Sequence, residues 1–329
     1  MKKPVAQLGG VAHAVPERVV TNHEFTAMGL DTSHEWIMSR TGICSRHIAS
    51  DGESTGSMAA DAARVALERS SLTANDIDVI ILSTATPDRL LPSTSVDVQA
   101  AIGASRAAAF DIGAACSGWL YALTVGEGLI AAGSARNVLV VGSEKMSSIV
   151  DWTDRSTCVL FGDGAGATVL SPSTNGAGIL SSYMGSDGTL AELLYRPHGG
   201  ASVPISPEVL ADRSWLVKMA GREVFKHAVH SMSDAVDQAL ARAGLASEDI
   251  DLLVPHQANI RIIEATARHA GVPMEKVFMN IDRYGNTSSA SIPISLDEAI
   301  EQGRISQGTT VMMVAFGAGL TWASMIVRF

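Results

Sequence analysis

Laid against itself with a shift of 173 residues, the chain repeats. Asp61-Ala62 falls on Asp234-Ala235, Ala66-Leu67 on Ala239-Leu240, Arg69 on Arg242, Leu72 on Leu245, and Asp76-Ile77-Asp78 on Asp249-Ile250-Asp251. That makes nine identities in the 21 residues from 61 to 81. Without a gap, the same shift carries 138–141 onto 311–314 and Cys116 onto Ser289. One offset linking a helical stretch to two strands describes two copies of one unit, too long to be a solenoid repeat. Apolar spacing is helical over 57–70 and 117–132, while 79–82, 107–112 and 138–142 suit buried strands. The first strand is expected from Pro4 to Val11, and Thr32 or Ser33 is expected to cap a short helix carrying an exposed Trp36, with Arg40 nearby. The alternation predicts an α/β fold with a parallel sheet covered by helices, in two pseudo-twofold halves, 1–172 and 173–329. The interface between such halves is where a pocket is expected.

Two stretches could argue for a different class. Lys2-Lys3, an apolar run and Ala12-His13-Ala14 imitate a signal peptide, but Gln7, Gly9 and Gly10 interrupt the run, which reads better as a strand. The segment 308–327 carries no charge, yet Gly317-Ala318-Gly319 splits it into two strands around a tight turn, each too short to span a bilayer. Membrane is therefore not an expected partner. Cys44, Cys116 and Cys158 are few, odd in number and far apart. They suggest no disulfide framework and place the protein in a reducing cytoplasm. A formal charge of −10 speaks against nucleic acid. An acidic partner would need a local basic patch, for which Lys218, Arg222, Lys226, Arg261 and Arg268 are available.

Chemistry concentrates at three places. The apolar run 107–112 breaks at Gly113 and delivers Cys116 among small residues to a helix start, where the dipole favours a thiolate. A small buried hydrophobe is the other reading of that residue. His256 follows the apolar run 252–254, at a strand end where ligands bind in open α/β sheets. Asn286 opens a small polar run at the repeat of the Cys116 turn. A core histidine and a turn residue are their plain readings. Taken together on a duplicated scaffold, the three form a candidate Cys-His-Asn site. Gly162-Asp163-Gly164-Ala165-Gly166 lacks the lysine and spacing of a phosphate loop and is expected to serve tight strand packing. Nothing in the sequence groups side chains as metal ligands.

Ala114-Ala115-Cys116-Ser117-Gly118, Val254-Pro255-His256-Gln257-Ala258-Asn259 and Gly285-Asn286-Thr287-Ser288-Ser289-Ala290-Ser291, in that order, resemble β-ketoacyl-acyl-carrier-protein synthase III, a thiolase-fold condensing enzyme. The similarity runs from Asp31-Thr32-Ser33, Trp36 and Arg40-Thr41-Gly42-Ile43 through Phe161-Gly162-Asp163 to Phe316-Gly317-Ala318-Gly319-Leu320-Thr321-Trp322. It implies the layered α-β-α-β-α form of that fold and a homodimer. It further implies condensation of a starter acyl-CoA, acetyl or longer and branched, with malonyl-acyl carrier protein, initiating fatty acid biosynthesis with no cofactor and no metal. Cys116 would carry the acyl group, with an oxyanion hole from the backbone of Cys116 and of the turn holding Ala318. His256 and Asn286 would hold the enolate oxygen. Trp36 and Arg155 match the residues that sandwich the CoA adenine, with Arg40 near the phosphates and Asn259 toward the pantetheine. Lys226, Arg261 and Arg268 match the surface that meets the carrier protein. Two departures stand out. Ala318 replaces a glycine common in the family, and Leu91 stands where some members place a phenylalanine that closes the partner's acyl pocket.

Three rivals remain in view. A papain-like cysteine protease orders Cys, His and Asn the same way but carries a Cys-Gly-Ser/Ala-Cys-Trp signature that is missing here. A secondary-metabolism relative would transfer or condense its acyl group with a different acceptor. A non-catalytic carrier-protein-binding paralogue would not need all three residues.

Overall fold

A computed structural model describes residues 5–329, so Lys2-Lys3 and Pro4 lie outside the described residues. Two sheets form its frame. The first contains β1 (Ala6–Ala14), β2 (Val79–Ser83), β3 (Ala108–Ile112), β4 (Val138–Glu144) and β5 (Gly164–Pro172) in the order β1-β5-β4-β2-β3. The second contains β6 (Gly178–Ser186), β7 (Leu252–Pro255), β8 (Thr310–Gly317) and β9 (Thr321–Arg328) in the order β6-β9-β8-β7. The main helices are α1 (His34–Thr41), α2 (Thr55–Arg69), α3 (Thr94–Ile102), α4 (Gly118–Ala131), α5 (Gly221–Ala243), α6 (Ile260–His269) and α7 (Ser291–Glu301).

The duplication holds in three dimensions. In each sheet a parallel pair (β2 with β4, β7 with β8) continues into two antiparallel neighbours. Where the first sheet adds β3 beside β2, the second has a single parallel bridge between Leu253 and Val277. Even the turns match. The 3-10 turns Ala115–Ser117 and Ser288–Ala290 precede α4 and α7 at equivalent places. Both begin on a non-glycine residue in the left-handed region, Ala115 at φ 44° and Ser288 at φ 50°.

Side-chain alternation explains the layering. On β4, Val138 and Val140 face the space between the sheets, where they join Trp119, Leu120 and Leu123 of α4, Leu296 of α7, and Val311 and Met313 of β8. Leu139 and Val141 point the other way, onto the alanine face of α2. Met312 and Val314 of β8 likewise face Met232 and Ala235 of α5. Strands buried on both faces need unbroken apolar sequence, which is why 138–141 and 311–314 show no period of two. The result is five layers, α-β-α-β-α, with α4 and α7 buried in the middle. Truncating a large side chain of that middle layer to alanine costs about 2–5 kcal/mol.

Local expectations fare well at most points. Ser33, one of two candidate caps, accepts the Trp36 N–H at 3.1 Å and starts α1. The uncharged segment 308–327 divides into β8 and β9 around Ala318. Among the described residues no helix is long and apolar enough to cross a membrane. The glycine run at 162–166 serves packing: a Cβ at Gly166 would sit 2.6 Å from Pro293, the third residue of α7.

Candidate active site

Cys116 sits on the 3-10 turn between β3 and α4, one residue after the strained Ala115. The approach of β8 fixes the turn from behind, because a Cβ at Gly317 would lie 2.6 Å from the Cys116 backbone nitrogen. Ala318 follows, half-buried, its carbonyl accepting the Thr321 hydroxyl at 3.1 Å. The thiolate expected from the helix start is not what the environment favours. A helix terminus contributes about 0.3–1 kcal/mol, less than one pKa unit. Burial first, with the Glu144 carboxylate adding to it, pushes the thiol up to about 12. At rest Cys116 is a thiol.

His256 lies just past β7, almost fully buried, its N–H donating to Val314 of β8 at 2.8 Å. Its Nδ1 is 2.6 Å from the Ser291 hydroxyl on the first turn of α7. That hydroxyl oxygen also receives the Gln257 N–H at 3.4 Å, and Nδ1 is the partner within reach that can accept the Ser291 proton. The pattern assigns the ring proton to Nε2, the far side of the ring. Burial drops the imidazole to about 3, so it is neutral.

Asn286 is held through its backbone. Its N–H donates to Leu160 at 2.8 Å and its carbonyl accepts Gly162 N–H at 3.0 Å. The side-chain Oδ1 turns back to accept Ser288 N–H at 2.9 Å, which leaves the Nδ2 end for the pocket that Asn286 lines. Cys116, His256 and Asn286 share that pocket, a cavity of about 110 Å³. Its other walls are mainly apolar and include Leu160, Phe161, Val224, Phe225, Met232 and Phe316.

The remaining expected residues arrange themselves unevenly around it. Trp36 is half-buried rather than exposed, because Arg40 stacks over its ring at 4.5 Å and Arg155 at 5.0 Å. Arg155 is also paired with the Asp31 carboxylate at 2.9 Å. Asn259 lines the pocket, but its amide is engaged at both ends. Its Oδ1 caps α6 through Arg261 N–H and its Nδ2 donates to the Arg40 carbonyl, both at 2.9 Å. Arg261 and Arg268 are exposed on α6, and Lys226 is exposed on α5 beside the pocket-lining Phe225, paired with Glu223 at 3.3 Å. Arg261 reaches the Ser39 carbonyl at 3.0 Å, tying α6 to α1. Leu91 does not reach this pocket. It is 86% exposed, beside Leu90 at 83%, on the loop before α3.

Sequence reasoning missed three polar residues. Ser291 was visible only as part of a small polar run. Glu144, which ends β4, is completely buried and accepts five hydrogen bonds, including 3.0 Å from Ser288 and 2.9 Å from Ser289. Ser288 stands at the left-handed start of the second paired turn, its hydroxyl donating to Glu144. The available signal was a glutamate closing an otherwise apolar strand, which has no reason to be there unless it has partners. Among the described residues no group of three or more His, Cys, Asp or Glu is placed to hold a metal ion.

A duplicated five-layer α/β frame with a cysteine turn, a neutral histidine and an asparagine amide around one apolar pocket defines a thiolase-fold condensing enzyme. The profile for 3-oxoacyl-[acyl-carrier-protein (ACP)] synthase III matches residues 110–188, and that for the C-terminal part of the same enzyme matches 240–329. The chain belongs to the 3-oxoacyl-[acyl-carrier-protein] synthase III family. It is 52% identical over 324 residues, 98% of each chain, to the β-ketoacyl-[acyl-carrier-protein] synthase III of Roseiflexus sp. (strain RS-1). Its fold matches that of the Aquifex aeolicus VF5 enzyme with a TM-score of 0.92 at 45% identity, covering 98% of this chain and 100% of that one. It also matches the priming β-ketosynthase of the R1128 polyketide biosynthetic pathway, with a TM-score of 0.92 at 36% identity, covering 100% and 97%.

Proposed function

We propose that the protein condenses a starter acyl-CoA with malonyl-acyl carrier protein, releasing CO2 and CoA and giving the β-ketoacyl-carrier protein that begins fatty acid synthesis. The observation that carries this reading is the convergence of Cys116, His256 and Asn286 on one apolar pocket. The Cys116 sulfur attacks the acyl-CoA carbonyl, exchanging one thioester for another, and keeps the acyl group. Backbone N–H groups of Cys116 and of the turn at Ala318 receive the oxyanion. Malonyl thioester then loses CO2, and the enolate oxygen is held by His256 Nε2–H and Asn286 Nδ2–H. The enolate carbon attacks the acyl-cysteine, and the sulfur is freed.

A neutral imidazole suits this role. It donates a proton without giving it up, and an enolate needs donors at fixed positions rather than a free acid. For a papain-like protease the same residue would have to be an imidazolium beside a thiolate, which burial disfavours on both counts. No cofactor enters the scheme.

The entrance is read as the CoA site. The Trp36 face that Arg155 covers is the place for adenine, once the guanidinium lifts from an ion pair whose carboxylate is fully exposed. Arg40 is placed for the phosphates and Asn259 for the pantetheine. Lys226, Arg261 and Arg268 form the basic rim for the acidic carrier protein in a cytoplasmic homodimer. Strand β3 is a sheet edge with Phe110 exposed, and Leu91 projects from the loop before α3, as expected if a second copy pairs there and Leu91 caps the partner's acyl pocket.

The test is to incubate the protein with acyl-CoAs of graded chain length and read covalent mass on the Cys116 peptide. Wild type is expected to gain the acyl mass and Cys116→Ser none. Labelling elsewhere, or none with any acyl-CoA, rejects the reading.

A further inference from the structure

The geometry points to Glu144 as a positioning residue for Asn286: from the first half of the chain it clamps the turn that aims the Asn286 amide into the pocket. The inference rests on Asn286 holding the enolate, as proposed above. Asn286 belongs to the second half and Cys116 to the first, so their relative placement depends on contacts that cross between the halves. The Asn286 amide is oriented by the Ser288 N–H, which donates to its Oδ1 at 2.9 Å. Ser288 itself stands at φ 50°, a left-handed conformation that a residue with a Cβ keeps only when its neighbours hold it there.

Glu144 supplies that hold. It ends β4, completely buried, and its Oε1 meets the Ser288 hydroxyl at 3.0 Å and the Ser289 hydroxyl at 2.9 Å. Its Oε2 is fixed on the other side by the Ala85 N–H at 3.0 Å and by the hydroxyls of Thr84 and Thr86 at 3.2 and 2.8 Å, so the carboxyl cannot swing away. The strand also presses on the turn directly. A Cβ at Gly142, two residues before Glu144, would sit 2.6 Å from the Ser289 carbonyl oxygen. A buried carboxyl is costly unless its partners are in place, and these partners lie on the loop after β2 and on the Asn286 turn.

The role asks for shape, not for charge. Burial pushes the Glu144 carboxyl up, and the clamp stands without ionisation. Ser289 can spend its own proton on the Ser83 carbonyl at 3.1 Å and accept one from Oε1. A glutamine serves the same geometry: its carbonyl oxygen faces the Ala85 N–H, which only donates, and its NH2 faces two serine oxygens.

The test reads two steps separately: acyl loading of Cys116 by mass spectrometry, and decarboxylation of malonyl carrier protein by released CO2. Asn286→Ala is expected to decarboxylate about 100-fold more slowly, the scale of a lost oxyanion donor. Ser288→Ala keeps the backbone N–H but loses the anchor, and should decarboxylate about tenfold more slowly while loading stays within about threefold of wild type. Ser288→Gly should retain more activity than Ser288→Ala, because glycine holds φ 50° without an anchor. Adding Ser288→Ala to Asn286→Ala should cost less than about threefold more, since the serine acts through the asparagine. Glu144→Gln should decarboxylate within about threefold of wild type, and Glu144→Ala should fall with Ser288→Ala. Where Glu144→Ala fails to fold, Ser288→Ala and its double variant carry the test. Losses that multiply in the double variant overturn the clamp, as does Glu144→Gln as impaired as Glu144→Ala. Decarboxylation by Asn286→Ala at the wild-type rate would instead remove the enolate role that the clamp serves.

Discussion

Burial decides the character of each proposed catalytic group more than sequence position does. The cysteine at a helix start and the histidine at a strand end are both pulled to their neutral forms by burial. Cys116, His256 and Asn286 were legible because each follows an apolar run at a chain break, a pattern local in sequence. Ser291 and Glu144 were not, since their partners are 35 and 144 residues away and only folding makes them neighbours. Ser291 supports a prediction at this scale. Removing its hydroxyl leaves His256 Nδ1 without the donor that selects the Nε2–H form. In Ser291→Ala the Nε2–H population, read from imidazole nitrogen NMR shifts, should fall. Decarboxylation of malonyl carrier protein should drop about tenfold, roughly one lost hydrogen bond to a forming oxyanion. Loading of Cys116 should be unaffected. An unchanged tautomer, or equal loss in both steps, would contradict this positioning role.

At the level of elements, the paired turns at 115–117 and 288–290 show what a duplicated sequence can and cannot disclose. Helix and strand positions were readable from a single offset, because apolar spacing survives in both copies. The left-handed starts of the two turns were not, because Ala115 and Ser288 carry no glycine or asparagine to announce them. Their strain is held by neighbours, and β8 is the neighbour behind Cys116. Gly317→Ala would place a methyl 2.6 Å from the Cys116 nitrogen, a distance no side chain tolerates, against backbone that cannot swing aside. Either β8 or the cysteine turn must shift by several tenths of an ångström. The expected outcome is loss of at least about 100-fold in acyl loading, since small misplacements of reacting groups carry penalties of that order. Thermal unfolding should fall by a few degrees while far-UV circular dichroism stays native. Wild-type loading in this variant would mean the turn is not held from behind by β8.

The middle layer is fastened to the first sheet by more than apolar packing. Asp297 on α7, the middle-layer helix between β7 and β8 in the chain, is buried with its side chain only 2% exposed. It is met by His13 Nδ1 of β1 at 2.6 Å and by the Arg69 guanidinium of α2, which also donates to the exposed Glu301 at 2.9 Å. The composition could not indicate this, since 18% charged residues is compatible with an entirely solvated set. Arg69 and Arg242 even occupy equivalent repeat positions, yet Arg242 has a different use, donating to the Ser182 carbonyl and stacking on Tyr183. Position in the repeat is legible; partner choice is a property of the assembled molecule. The two carboxylates that Arg69 joins should therefore differ sharply in weight. Asp297→Ala strips a buried pair of one member, leaving His13 and Arg69 facing an apolar gap, at a cost of about 2–4 kcal/mol once the 38% exposure of Arg69 lets water relieve part of it. Glu301→Ala removes a half-exposed partner and should cost under about 1 kcal/mol. Denaturant melts of the two variants check this: the midpoint should move clearly for Asp297→Ala and barely for Glu301→Ala. Equal shifts would place the fastening of α7 to the first sheet in apolar packing alone.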